Sequence, residues 1–64
     1  MTENDVLWLE KCEEHNTQYT IIVDNDDVYV FDNKTSCEVH SFSEYGWRFA
    51  LSLLRYIGCN AEEA

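Results

Sequence analysis

Cys12-Glu13-Glu14-His15 and Cys37-Glu38-Val39-His40 repeat the pattern C-x-x-H, and two thiolates with two imidazoles form a ligand set that suits tetrahedral zinc. Spacing alone does not make the site. Cys37 and His40 fall in a segment of strand character, where side chains alternate, so the pair points to opposite faces and cannot close on one ion. The plainer reading makes Cys12 and Cys37 small core hydrophobes and leaves His15 and His40 in water. The expectation is no bound metal and no other cofactor.

Asp24, Asp26 and Asp27 could offer hard oxygen ligands, but Val28 stands where the EF-hand pattern needs its third ligand and no glycine follows. A polar hairpin tip explains them better. A Cys with a nearby His can also make a nucleophile and base, yet so short a chain builds little pocket around either pair. Gly46 and Gly58 are the only glycines, so no phosphate-cradling loop exists, and catalysis is not expected.

The chain has 64 residues, thirteen Asp and Glu against four Lys and Arg, and a formal charge of −9. That charge disfavours direct contact with phosphate backbones and anionic lipid, and favours basic surfaces, of which the largest belong to proteins that hold DNA or RNA. The length allows one hydrophobic core, and an apolar fraction of 45% argues that it folds. No apolar run is long enough to span a membrane, the acidic start is unlike a signal peptide, and three cysteines make no disulfide framework, so a cytoplasmic protein with reduced thiols is expected.

The elements that must position these side chains can be read in order. Thr2 and Asp5 form a capping pair before a helix over about residues 4 to 15, with Val6, Leu9 and Cys12 as its buried stripe. Strands are expected over about 18 to 24, 28 to 32 and 37 to 40, separated by turn chemistry at Asp24-Asn25-Asp26-Asp27 and Asp32-Asn33-Lys34-Thr35. Ser41-Phe42-Ser43-Glu44 has a capping-box pattern that opens a helix over about 42 to 57, with Tyr45, Phe49, Ala50, Leu53, Leu54 and Ile57 facing the core and Arg48, Ser52 and Arg55 as a polar stripe. Gly58 ends it, and the tail Ala61-Glu62-Glu63-Ala64 is expected to fray. The result is a single two-layer α+β domain over residues 1–64 of order αβββα, an antiparallel three-stranded meander packed by helices.

Two-residue loops at Asn25-Asp26 and Asn33-Lys34 would pair Val23 with Val28, Ile21 with Val30, Val30 with Cys37 and Val28 with Val39. Tyr19, Ile21, Val23, Val28, Val30, Cys37 and Val39 then share the core face. Thr20, Ile22, Tyr29, Phe31, Glu38 and His40 point the other way. With both helices on the core side, Ile22, Tyr29 and Phe31 form an aromatic patch of the kind that marks an interface.

In size, acidity and element order the chain resembles the small phage-encoded inhibitors of the anti-CRISPR and DNA-mimic kind. The resemblance is one of class, without a diagnostic motif, and transfers no residues. It implies a non-catalytic inhibitor that lays acids such as Asp24, Asp26 and Asp27 on a basic, nucleic-acid-binding protein. The competing expectation is a structural or regulatory module that dimerises or joins a complex through Ile22, Tyr29 and Phe31.

Overall fold

In a computed structural model describing residues 1–64, the first helix, α1, runs Glu3–Glu14 and begins as its residues dictate. The Asp5 N–H donates to Thr2 Oγ1 at 3.1 Å while the Thr2 N–H donates to Asp5 Oδ2 at 3.0 Å, a reciprocal capping box. Cys12 is buried and Trp8 and Leu9 are half-buried, whereas Val6, expected in the stripe, is 47% exposed.

Strands β1, Tyr19–Asp24, and β2, Asp27–Asp32, pair antiparallel in the expected register, with Val23 opposite Val28 and Ile21 opposite Val30. Asn25 takes the tight turn at a φ of 55°, a conformation that asparagine tolerates better than most residues. The next turn departs from expectation. It uses Asn33, Lys34, Thr35 and Ser36, with the Lys34 N–H donating to Asp32 Oδ1 at 2.9 Å, the Ser36 N–H to the Asp32 carbonyl at 2.8 Å, and Ser36 at a φ of 58°. Strand β3, Cys37–Ser41, therefore starts opposite Asp32, and an irregularity opposite Val30 and Phe31 absorbs Val39 as a bulge. Val30 faces His40 instead of Cys37, so Cys37 is exposed at the sheet end and His40 turns towards the helices.

The element order is αβββαβ, and the sheet is mixed, not a pure three-stranded meander. The tail forms a fourth strand, β4, Asn60–Glu63, parallel to β1 with Ala61 beside Ile21 and Glu62 beside Ile22, giving sheet order β3-β2-β1-β4. Its side chains have little strand propensity. Pairing comes from where the chain is delivered: Gly58, at a φ of +94°, turns it back after the last helix, and Asn16 Nδ2 donates to the Ile57 carbonyl at 2.7 Å to fix that corner.

That helix, α2, spans Trp47–Tyr56 and starts later than the capping pattern suggests. Phe42 is drawn into the core and its N–H donates to the Val28 carbonyl at 2.9 Å, while the Ser43 hydroxyl is committed to Asp5, so neither is free to open a helix. Gly46 becomes the N-cap. The core gathers Cys12, Tyr19, Ile21, Val28, Val30, Phe42, Ala50, Leu54 and Cys59, which places both helices on one face of the sheet. Tyr45 and Phe49, expected inside, are 98% and 63% exposed: Tyr45 falls in the turn before α2, and Ala50 and Leu54 set a helix rotation that turns Phe49 outward. No helix is long and apolar enough to cross a membrane.

Candidate functional site

The face of the sheet turned away from both helices carries the residues singled out for binding. Alternation from the register places Thr20, Ile22 and Asp24 of β1 on it, with Asp27, Tyr29 and Phe31 of β2, Glu38 of β3 and Glu62 of β4. Ile22 lies between Tyr29 and Glu62, and Phe31 between Thr20 and Glu38. Ile22, Tyr29 and Phe31 are half-buried and belong to no part of the core cluster, so they shield one another in a separate patch.

Asp24 and Asp27 face each other across the hairpin end of this surface, and Asp26 stands exposed in the turn beyond them. The Tyr29 hydroxyl donates to Asp27 Oδ2 at 3.3 Å. Its pKa is raised above the ordinary 10.0, by desolvation first, then by the charge and hydrogen bond of Asp27 and the charges of Asp24 and Glu38. The hairpin acids and the aromatic patch, which the sequence presented as separate features, thus form one surface: an apolar centre with Asp24, Asp27, Glu38 and Glu62 around it. Glu62 entered only through β4, which side-chain pattern did not reveal.

Elsewhere the two C-x-x-H pairs are pulled apart. Cys12 and Cys59 are buried, Cys37 and His15 are exposed, and no three His, Cys, Asp or Glu side chains group as metal ligands. Burial, and then neighbouring Cys59, push the Cys12 thiol up to about 12, so it stays protonated and unreactive. His40 instead meets Asp5, its Nε2 lying 2.8 Å from Asp5 Oδ1, while the Ser43 hydroxyl donates to Asp5 Oδ2 at 3.0 Å.

Asp5 is 1% exposed. Burial pushes its carboxyl up, but hydrogen bonds from the Thr2 N–H, His40, Ser43 and the Thr2 side chain outweigh that and hold it at about 2. Trp8 stacks on the His40 ring with centroids 5.9 Å apart, and Phe42 meets it edge-on at 4.9 Å. Ser43 bonds the carboxylate and not the imidazole, so His40 does not activate it. The cluster clasps the start of α1 to β3. Asp5 is legible in the sequence only as a capping residue, because its partners His40 and Ser43 are 35 and 38 residues away.

No protein-family model matches the chain, and no similar curated protein or solved structure was found.

Proposed function

We propose that this chain is a non-catalytic binding protein that lays its acid-ringed sheet face on the basic, nucleic-acid-holding surface of another protein and so competes with the nucleic acid. The observation that carries the proposal is the arrangement of Ile22, Tyr29 and Phe31 inside Asp24, Asp27, Glu38 and Glu62. An apolar centre with a polar rim is the anatomy of protein interfaces, and here the rim has one sign. Target Arg and Lys side chains can stack on the Tyr29 and Phe31 rings while pairing with the surrounding carboxylates. The net charge of −9 steers encounter, and the strand-held acids supply fixed spacing that charge alone lacks. A phage- or mobile-element-encoded inhibitor acting in a bacterial cytoplasm is the setting that the class resemblance implies.

The test is capture from bacterial lysate by the immobilised protein. The expected partner is a nucleic-acid-binding protein released both by raised salt and by added DNA or RNA, with capture weakened by Tyr29→Ser with Phe31→Ser and by Asn at Asp24, Asp26 and Asp27. Neutralising Glu10, Glu13 and Glu14 on α1 serves as the control and should change little. Capture that is insensitive to salt and nucleic acid yet lost in the Tyr29/Phe31 variant would favour the other use of this face, a module that joins a complex through its aromatic patch.

A further inference from the structure

On the helix side of the molecule, α2 presents an arc that the fold leaves without a partner. Ala50 and Leu54 are fully buried and fix the rotation, which turns Arg48, Phe49, Ser52, Arg55 and Tyr56 outward, with Phe49 63% and Tyr56 88% exposed. Seven-residue spacing puts Phe49 and Tyr56 within about 20° of one line along the helix and Arg48 and Arg55 within about 20° of another, with Ser52 between the two. From Tyr45 to Asn60 there is no Asp or Glu in a chain that has thirteen. Neither arginine forms an ion pair within the chain, and Arg48 rests only on the neighbouring Trp47 ring, 5.1 Å away. The arc is a basic and aromatic surface whose charge the chain itself does not answer.

We propose that the α2 arc docks on the outer sheet face of a second copy, so that without a target the acid-ringed face is covered by another molecule of the same chain. The two surfaces are opposite in sign and alike in kind. Asp24, Asp27, Glu38 and Glu62 surround Ile22, Tyr29 and Phe31 on the sheet, and α2 brings two guanidiniums beside two rings. They also agree in span. Four residues of β2 separate Asp27 from Phe31, the neighbour of Glu38, which is about 13 Å along the strand. Arg48 and Arg55 are about 10.5 Å apart along α2, and their long side chains cover the difference. With α2 laid along β2, one arginine reaches the Asp24 and Asp27 end and the other reaches Glu38, while Phe49 and Tyr56 fall on the Ile22 side of the patch.

The arc and the outer face lie on opposite sides of the sheet, so the contact is head-to-tail. Each copy gives its arc to one neighbour and its face to another, and association runs on into open chains. A ten-residue helix is about 15 Å long, and α1, with its own acids, lies beside it in the same layer. The contact is therefore confined to α2, sits at the low end of interface sizes and exchanges readily. This pairing rests on the same reading of the sheet face as an acceptor of basic surfaces and adds its regulation: dilution frees the face, and a target competes with the neighbouring α2.

Sedimentation equilibrium on the full chain, with circular dichroism to confirm folding of each variant, tests the pairing at about 150 mM salt, where repulsion between net-acidic copies is screened beyond about 8 Å. The expected result is an average mass that climbs steadily between about 50 μM and about 1 mM protein without levelling at the dimer. R48E/R55E sets acid against acid and D27R/E38R sets cation against cation, and each should raise the dissociation constant at least about tenfold. An equimolar mixture of the two variants should return to within about threefold of the unaltered chain, because the basic arc of one meets the acidic face of the other. A chain that stays monomeric to about 1 mM, undiminished association of D27R/E38R, or a mixture that fails to associate would each overturn the proposal. R48E/R55E keeps the sheet face intact and should still capture the nucleic-acid-binding partner from lysate. Self-association with these properties but no such capture would overturn the proposed target alone and leave the pairing standing.

Discussion

At Asp5 one side chain serves two ends: it completes the capping box of α1 and receives His40 from the far end of β3 and Ser43 from just beyond it. Its carboxyl lies at about 2 against an ordinary 3.8, and a depressed folded-state pKa gives stability that is complete above the ordinary value and lost as the pH falls through the lower one. Urea titrations should therefore show a component of roughly 2 kcal/mol disappearing between about pH 4 and about pH 2. Asp5→Asn should lack that component and be less stable at neutral pH by about 2–3 kcal/mol. Equal pH profiles for the two proteins in that window would refute the clasp. The two glycines separate in the same assay. Gly58→Ala forces a side chain into a φ of +94° and should cost about 1–2 kcal/mol, whereas at Gly46 the one close approach of a Cβ is to the movable Met1 side chain, Cγ at 2.7 Å, with the Met1 Cα at an ordinary 3.7 Å, and the change should cost much less.

Among the elements, those with local signals were legible. The Thr2–Asp5 cap, the Asn25-Asp26 turn and the β1–β2 register follow from short-range chemistry and agree with the fold. What escaped depends on one local competition and on two contacts distant in sequence. Asp32 closes the second turn with its own carboxylate and shifts β3, Asp5 holds Ser43 inside the stretch that the Ser41–Glu44 capping pattern would have made helical, and β4 pairs by backbone alone. A chain ending before Asn60 would leave the β1 edge open and Ala61 missing from beside Ile21. It should lose about 2–3 kcal/mol in urea unfolding and self-associate through that edge. Unchanged stability would mean that β4 is not held. The outer face should behave differently: Tyr29→Ser with Phe31→Ser should cost only about 1–2 kcal/mol, since neither side chain joins the core. If the double variant unfolds, the patch is structural and not an interface.

Across the whole molecule the charge is arranged by face. Acids ring the aromatic patch on one side of the sheet, and on the other they line α1 but not its neighbour α2, which has none, in a body of 10.2 Å radius of gyration. The net acidity was legible from composition, and the aromatic patch from strand alternation. Their union on one face was legible only in part: Glu38 was expected there, whereas Glu62 reached it only through β4.

The central claim is that the sheet face, and not acidity in general, receives a basic surface. Its most direct measurement is a titration of the isotope-labelled chain with an oligo-arginine peptide, followed by amide chemical shifts at low and high salt. Perturbations are expected to concentrate at Ile22, Asp24, Asp27, Tyr29, Phe31 and Glu38, with binding weakening several-fold as salt rises from about 50 to about 300 mM. Perturbations equally strong at Glu10, Glu13 and Glu14 on α1, or none at the sheet face, would contradict it.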